Sequence, residues 1–307
     1  MIGEKVLDWF MAHYKKIFYI PFLVTLVALF LLYQNYTQTG DIFTKDISLK
    51  GGLTFTFITD KSPDIAALEA ALAPVLAPHE LNIRTLRSGA GTGFIVESDL
   101  QDPSRETVEG MIAAVEGVLG EKLDESKYSL ESVGSSLGES FFQQTFKAMV
   151  IAFLFIGIVV FIIFRSLLPS VAVMLSTFSN IVTTMAVADL FGMRIGTAGI
   201  AAFLMLIGYS IDTEILLNTR LLKRKDESLR SAFASAFKTG MMMTFTTLTA
   251  VAVSLIFIQN EVIRQIMLIL FIGLVADLLN TWLQNASLII WHAEHEEKKA
   301  QQPGAAP

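Results

Sequence analysis

The sequence predicts an α-helical membrane protein with six transmembrane helices and a small α+β domain between the first two. Of 307 residues, 53% are hydrophobic and only 17% are charged, a composition outside that of ordinary soluble domains. Uncharged apolar stretches recur along the chain, each able to cross a hydrocarbon core about 30 Å thick. The one long polar segment, 37–140, alternates between strand-like and helix-like patterns.

The first predicted span, Ile17–Tyr33, follows two lysines and could be mistaken for a secretory signal. It exceeds the usual signal core of about 7–15 residues, and no small-x-small cleavage site follows it. We therefore interpret it as an uncleaved span. The other predicted spans are Ala148–Phe164, Leu167–Ala188, Ile195–Ile211, Thr239–Asn260 and Gln265–Trp291, the last broken only by Asp277.

Basic residues in the short loops predict the orientation. Residues 220–238 hold six of them, whereas the loops on the opposite side hold only Arg194 and Arg264. The positive-inside rule then places both termini in the cytoplasm and the large loop outside a plasma membrane. The predicted division is a cytoplasmic N-terminus with the first transmembrane helix (1–36), an extracytoplasmic domain (37–140), helices two to six (141–292) and a cytoplasmic tail (293–307).

Segment 37–140 carries 8 Lys/Arg and 17 Asp/Glu, a net charge of −9. Its patterns predict the order βαββαβ, which favours a ferredoxin-like sandwich with both helices on one face of an antiparallel sheet. The predicted elements are Ile47–Thr59, Pro63–Leu76, Leu81–Leu86, Phe94–Glu97, Ser104–Leu119 and Tyr128–Val133. The glycine- and serine-rich stretch 134–138 is either a hinge into the second span or a turn ending the last strand.

Two carboxylates in the fourth span are candidate functional residues. An ionisable group at membrane depth costs about 2.5–3.5 kcal/mol on insertion scales, so it usually faces a bundle interior and serves a function. Asp212 and Glu214 are two residues apart and project in opposite directions from a helix, so they cannot form a joint site. We predict that Asp212 is a buried acid able to load and release a proton. A neutral, hydrogen-bonded anchor between helices is the alternative.

Glu214 lies nearer the predicted cytoplasmic end of the span. There we expect it to reach water or to pair with Arg220 or Lys238. Asp277 lies near the middle of the sixth span, with Asn280, Thr281 and Gln284 following at helical spacing. Such a polar stripe cannot face lipid, because several of its groups would lack hydrogen-bond partners. A second station in a proton path and a polar packing seam remain equal alternatives for Asp277.

The sequence predicts neither a metal site nor a cofactor. It contains no cysteine, which excludes thiolate ligands and thiol redox chemistry. The four histidines, at positions 13, 79, 292 and 295, lie outside the predicted spans and lack a credible set of partner ligands. No phosphate-binding loop is present, and we expect no nucleic-acid partner.

Three motifs in fixed order resemble the SecF family, the smaller half of the SecD/SecF auxiliary complex of the protein translocon, in the resistance-nodulation-division superfamily. They are Asp46-Ile-Ser-Leu-Lys-Gly51-Gly52, Glu131-Ser-Val-Gly134-Ser-Ser-Leu-Gly138 and Gly208-Tyr209-Ser-Ile-Asp212. In the sixth span, Asp277-Leu-Leu-Asn-Thr-Trp-Leu-Gln-Asn285 is similar to the archaeal branch. The resemblance covers nearly the whole chain.

The resemblance implies a non-enzymatic role in protein export that is driven by an ion gradient. The helices that lie in the lipid bilayer would conduct the protons. The implied partners are SecD, the translocon channel and the emerging secretory chain. One six-span unit is half of the usual two-fold arrangement, which implies that SecD completes the face bearing Asp212. Bacterial members usually carry their aspartate at the position of Thr213, an acid at that of Asn180 and a basic residue nearest to Lys238. The implied ion-coupling candidates are Asp212, Asp277, Glu214, Asn180 and Lys238.

Two other functions remain open from the sequence. A small-molecule or lipid exporter of the same superfamily would share the fold, since fold does not fix function. An intramembrane aspartyl protease would use Asp212 and Asp277 as a pair, although neither lies in the expected motif.

Overall fold

The computed structural model describes residues 4–59, 61, 64–88, 91–223, 227–258 and 260–300. Pro63, the predicted start of a helix, and residues 301–307 of the predicted tail lie outside these ranges. The elements in chain order are α1 (Glu4–Ile17), α2 (Tyr19–Thr39), α3 (Ile47–Lys50), β1 (Gly52–Thr59), α4 (Ile65–Leu76), β2 (Leu81–Ser88), β3 (Gly91–Ser98), α5 (Arg105–Leu119), β4 (Tyr128–Val133), α6 (Ser135–Phe164), α7 (Leu167–Leu190), α8 (Thr197–Lys223), α9 (Leu229–Phe257), α10 (Glu261–Leu279) and α11 (Ala286–Ala300).

Six helical segments of the described chain are long and apolar enough to cross a membrane, as predicted. Five are single helices: α2, α6, α7, α8 and α9. The sixth runs from Val262 to Glu296 and joins α10 to α11 through a π-helical turn, Asn280–Asn285. The helices α7 and α8 are the most buried, whereas α6 lies at the periphery with most of its side chains exposed. The interior of the bundle is therefore built around α7, α8 and the sixth span.

The N-terminal helix α1 is an element that the sequence analysis did not predict. Its apolar residues Leu7, Phe10, Tyr14 and Ile17 recur at helical spacing and are buried, as expected for an amphipathic helix. They pack with residues of α9 and α11 in one cluster, where the ring of Phe10 stacks on that of Phe233. Both ends of the described chain thus meet at one end of the spans, here called the termini end.

The four strands form an antiparallel sheet in the order β2-β3-β1-β4. The order of elements from β1 onward is the predicted βαββαβ. The first predicted strand, Ile47–Thr59, was wrong over Ile47–Lys50, which form the short helix α3 capped by the Asp46 side chain. Alternate residues of β1 (Leu53, Phe55 and Phe57) are fully buried and pack against the apolar faces of α4 and α5, so both helices cover one face of the sheet. We call this unit the sheet domain and the adjoining end of the spans the sheet end.

Two glycines allow the backbone to cross closely where the sheet domain joins the spans. At Gly52, φ is +140° and an added Cβ would collide with the carbonyl oxygen of Ser98. At Gly138 in α6, an added Cβ would lie 2.7 Å from the nitrogen of Gly51. The two glycine motifs of the sequence therefore contact each other. A larger side chain at Gly138 would separate α3 from α6, which explains why glycine is needed there.

Gly134 is the junction between the sheet domain and the second span. The strand β4 ends at Val133, α6 begins at Ser135, and Gly134 has an extended conformation with φ −63°. Of the stretch 134–138, only Gly134 lies outside α6, so these residues form the first turn of the helix and not a separate turn after the strand. The last strand passes directly into a 30-residue helix.

Further backbone contacts fix the sheet domain to the turn between α7 and α8. The N–H of Asp46 donates to the oxygen of Ile195 at 3.0 Å, and the N–H of Ile195 donates to Thr44 at 2.8 Å. Thr44 also donates through its N–H and its hydroxyl to Asp189 Oδ1, each at 3.0 Å. The segment between α2 and α3 is therefore tied to the bundle, not loosely attached to it.

Candidate functional site in the membrane interior

The two carboxylates of α8 lie on opposite sides of the helix, as their spacing predicts. Their environments are the reverse of the prediction: Asp212 is exposed on the surface of the chain, whereas Glu214 is 0% exposed. Glu214 lies on the face that packs against α7 and the sixth span, so it neither reaches water nor pairs with Arg220. The guanidinium of Arg220 instead donates to Ser235 on α9. The predictions that Asp212 is buried within this chain and that Glu214 pairs with a basic residue were wrong.

The sequence contained a signal for this arrangement. Glu214 shares a helical face with Ser210 and Asn218, a polar stripe with the same spacing as the one that marked Asp277. All three of these α8 residues are fully buried. The stripe would have predicted that the Glu214 side of α8 faces protein.

Asp277 lies at the centre of the interior polar groups and is 1% exposed. Its Oδ1 accepts hydrogen bonds from Ser210 at 2.5 Å, Thr281 at 3.1 Å and Asn180 at 3.3 Å. The donors come from α7, α8 and the sixth span, so the carboxyl group joins three helices. Asn180, which the family resemblance marked as a candidate, therefore contacts Asp277 directly.

Thr213 gives the second oxygen of Asp277 a partner that can change role. Its hydroxyl lies 2.8 Å from the carbonyl oxygen of Ser210 and 3.3 Å from Asp277 Oδ2. A hydroxyl has one hydrogen and two lone pairs, so Thr213 can donate to Ser210 and still accept from Asp277. The geometry thus accommodates both a carboxylate and a protonated carboxyl group.

Glu214 is the second carboxyl group of the cluster. Its Oε2 accepts from the hydroxyl of Thr177 at 3.1 Å, while its Oε1 has no hydrogen-bond partner among the described residues. The side chain is close enough to Asp277 for the two carboxyl groups to interact electrostatically. Glu214 and Asp277, together with their donors Asn180, Thr177, Ser210, Thr213 and Thr281, are called the membrane polar cluster below.

The polar interior continues from this cluster toward the termini end through the π-helical turn. Gln284 donates to Ser179 at 3.2 Å, and Asn285 donates to Asn218 at 3.3 Å. A π turn carries an extra residue per turn and occurs frequently at functional sites. Here Asn280, Thr281, Gln284 and Asn285 of the turn are all buried.

The remaining candidates lie elsewhere. Lys238 is exposed and lines an open groove along α9 with Met241 and Phe245, so it does not face the membrane polar cluster. Gly208 and Tyr209 are exposed on the same side of α8 as Asp212. Asp212 and Asp277 therefore do not face each other, and the pair that an aspartyl protease would need is absent from the described chain.

A second buried group of charges lies at the sheet end, called the sheet-end charge cluster. The guanidinium of Arg84 pairs with Glu97 and lies 3.7 Å from Asp46, and Arg194 lies 3.9 Å from Glu97. Glu97 has a side chain only 3% exposed. Burial and, next, the Glu97 carboxylate raise the pKa of Asp46, while Arg84 and Arg194 oppose that rise. The cluster links β2 and β3 to the turn before α8.

Within the described ranges, no three His, Cys, Asp or Glu side chains come together in a way that could hold a metal ion. The hydrogen-bond partners of Asp277 are hydroxyl and amide groups that act as donors. The chemistry that this cluster supports is the binding and release of a proton at a carboxyl oxygen.

Comparison with known proteins identifies a family. Residues 115–295 match the family described as "Protein export membrane protein SecD/SecF, C-terminal". The chain is similar to "Protein-export membrane protein SecF" of Methanolacinia petrolearia, with 35% identity over 91% of this chain and 94% of that protein. The protein of the same description from Pyrococcus furiosus is 34% identical over 93% of each chain.

Solved structures share the fold. A crystal structure of SecDF, a translocon-associated membrane protein from Thermus thermophilus, superposes with a TM-score of 0.73 at 19% identity. The match covers 92% of this chain but only 38% of that longer chain. SecDF in a super-membrane-facing form gives a TM-score of 0.53 over 95% of this chain.

Proposed function

The chain belongs to the SecD/SecF family of protein-export membrane proteins, and from this premise we propose that it is an auxiliary subunit of the Sec translocation machinery. It would assist export across the plasma membrane without being an enzyme. The single observation that carries this proposal is the 35% identity to a SecF protein along nearly the whole of both chains. The exporter alternative has no comparable support.

We propose that SecD is the partner and that it packs on the face of α8 bearing Gly208, Tyr209 and Asp212. This chain matches only 38% of the SecDF chain, which leaves room there for a second half. Asp212, exposed here, would then be enclosed at the interface, as a carboxyl group at membrane depth requires.

Cysteine cross-linking tests this interface, because the chain has no cysteine of its own. Tyr209→Cys in native membranes should form cross-links to SecD, whereas Ile158→Cys, on the exposed side of α6, should not. Equal cross-linking from both positions, or recovery of neither SecD nor translocon subunits with the purified protein, would contradict the proposed partnership.

We propose that the sheet domain, as a ferredoxin-like unit, lies outside the membrane and contacts the emerging chain, while both termini are cytoplasmic. The bias of Lys and Arg toward the loops at the termini end supports this orientation. In intact cells, a membrane-impermeant maleimide should label Ala113→Cys in α5 and should label His295→Cys in α11 only after lysis. The opposite pattern would invert the topology.

We propose that the membrane polar cluster couples export to the proton gradient. When Asp277 Oδ2 carries a proton, its O–H would donate a hydrogen bond to the hydroxyl oxygen of Thr213, whose own O–H donates to the carbonyl oxygen of Ser210. After its release, the carboxylate would be held by Ser210, Thr281 and Asn180. Glu214, with one free oxygen, would exchange protons with Asp277, and Asp212 would act at the SecD interface.

Secretion of a reporter protein tests the coupling. Asp277→Asn should lower secretion to the level of wild-type cells whose proton gradient is collapsed, and an uncoupler should lower it no further. Asp8→Asn removes an exposed carboxylate that pairs with Arg230 and should leave secretion unchanged. Normal secretion by Asp277→Asn, with the SecD complex intact, would refute proton coupling at this site while leaving the role in export untouched.

A further inference from the structure

A cavity of about 310 Å³ lies at the termini end, where the chain turns from α1 into α2 and passes α11. Its walls include Tyr14, Lys15, Phe18, Tyr19, Ser287 and Trp291. None of these wall residues belongs to the membrane polar cluster, and the cavity has no part in the proposed coupling. It combines a cation, a hydroxyl group and aromatic rings at the end of the membrane-spanning helices.

Ser287 is the most informative residue of this cavity. It is 2% exposed, and its hydroxyl has no hydrogen-bond partner among the described residues. Several hydroxyls in the other spans bond the carbonyl four residues earlier, as Thr25 bonds Pro21 at 2.9 Å and Thr244 bonds Gly240 at 3.1 Å, whereas Ser176 and Thr183 of α7 also have no partner among the described residues. A buried polar group without a partner costs about 1–3 kcal/mol. Ser287 therefore places an unpartnered hydroxyl in the wall of the cavity.

Lys15 supplies the charge. Its ammonium lies 5.6 Å from the centre of the Tyr14 ring and forms no ion pair with a carboxylate in the described part of the chain. The nearby Glu294 already accepts a hydrogen bond from Tyr14 at 2.8 Å. A lysine beside an unsatisfied hydroxyl favours an anion with several acceptor oxygens.

The aromatic residues beside the cavity indicate that it lies at the level of the lipid headgroups. Tyr19 is the first residue of α2, and both Tyr19 and Trp291 are exposed on the outside of the bundle. Tyrosine and tryptophan accumulate at the headgroup level of bilayers, and basic pockets between spans bind anionic headgroups there. The neighbouring Phe18 and Leu288 offer apolar walls along which acyl chains can run.

We infer that this cavity binds an anionic phospholipid, whose phosphate accepts hydrogen bonds from the Lys15 ammonium and the Ser287 hydroxyl. The bound lipid would hold α1 against α11. The inference does not depend on the export function.

Native mass spectrometry of the full chain in detergent tests it, with titration of phosphatidylglycerol or of phosphatidylcholine carrying the same acyl chains. The wild type should retain one phosphatidylglycerol in preference to phosphatidylcholine. Lys15→Gln should weaken phosphatidylglycerol binding about fivefold, the effect of one lysine at a lipid surface. Ser287→Ala should weaken it roughly threefold, as for one hydrogen bond.

Lys16→Gln is the matched control, since Lys16 is the adjacent exposed lysine and does not line the cavity. It should bind phosphatidylglycerol like the wild type. Ser287→Ala should also unfold at the same or a higher temperature in lipid-free detergent, because it removes an unsatisfied hydroxyl, yet gain less stabilisation from added lipid. Equal retention of both lipids, an equal loss in Lys16→Gln, or displacement of the lipid by equimolar inorganic phosphate would overturn the assignment.

Discussion

The sheet-end charge cluster and the membrane polar cluster each hold two carboxyl groups, all of them buried except the partly exposed Asp46, but they satisfy these groups in different ways. At the sheet end, two guanidinium groups accompany Asp46 and Glu97. In the membrane, Asp277 and Glu214 are surrounded by hydroxyl and amide donors, and no described ion pair includes either. Paired charges suit a fixed structural joint, whereas neutral donors leave the charge of a carboxyl group free to change with proton binding.

Removal of a cation should break the sheet-end joint with the largest effect. Arg84→Met leaves Glu97, which is nearly inaccessible to solvent, with the side-chain amide of Asn82 at 2.9 Å and the more distant Arg194 as its partners. Loss of one partner from a buried ion pair costs about 3–5 kcal/mol, so we expect a loss of that size in thermal unfolding of the full chain in detergent.

The control for Arg84→Met is Arg105→Met, which removes the 2.8 Å ion pair to Glu109 on the surface of α5. The Arg105 side chain is 92% exposed, so this change should cost less than about 0.5 kcal/mol. Similar losses in both variants would show that the sheet-end cluster does not hold the domain.

Removal of the central membrane carboxyl should have the next largest effect. Asp277→Ala leaves Ser210, Thr281 and Asn180 without their shared acceptor, and unsatisfied buried groups cost about 1–3 kcal/mol each before any of them finds another partner. We expect a net loss of about 3 kcal/mol by thermal unfolding. Asp277→Asn keeps an acceptor oxygen and should lose clearly less of the free energy of unfolding. An equal loss in both variants would contradict the view that these hydrogen bonds stabilise the cluster.

The pH dependence of the sheet end has a definite sign. The pKa of Asp46 is raised in the folded state, so folding favours its protonated form. This contribution to stability is fully present below the unfolded pKa of about 3.9 and is lost as pH rises through the higher folded pKa.

Asp46 is the N-cap of α3, where its side chain accepts a hydrogen bond from the N–H of Ser48. Asp46→Asn isolates the charge contribution, because asparagine also caps a helix well. The melting temperature of the wild type, relative to that of Asp46→Asn, should fall as pH rises through the acidic range to neutrality. A difference that is constant with pH, or one that rises, would contradict the assigned burial of Asp46.

The smallest effect is expected for Glu214→Gln. This change keeps the size of a side chain that has one oxygen without a partner, so stability should change by less than about 1 kcal/mol. Gradient-dependent secretion should nevertheless fall. A large loss of stability would instead identify Glu214 as a structural anchor.

The spans and the order of the sheet domain were predictable because they rest on local patterns. Runs of apolar residues mark α2 and α6, and period-two alternation marks β1, whatever packs around them. The buried face of α8 was not predictable with the same security. Both Asp212 and Glu214 are acids in an apolar helix, and only the packing of α7 and the sixth span on one side of α8 decides which is enclosed.

Three other features escaped prediction for physical reasons. The π turn at Asn280–Asn285 depends on the buried hydrogen bonds of Gln284 and Asn285 to other helices, which no local pattern encodes. The helix α1 is short and rich in charge, and its stability depends on packing against α9 and α11. The close contact between the two glycine motifs likewise required knowledge of which backbones cross.

The direct passage of β4 into α6 at Gly134 has a mechanical consequence. Because only Gly134 separates the strand from the helix, a tilt of the sheet domain would tilt α6 as well. This helix lies at the periphery of the spans, with most of its side chains exposed, while the hydrogen bonds of Thr44 and Asp46 tie the same domain to α7 and to the turn before α8. The second span is thus suited to carry force between the domain and the far side of the membrane.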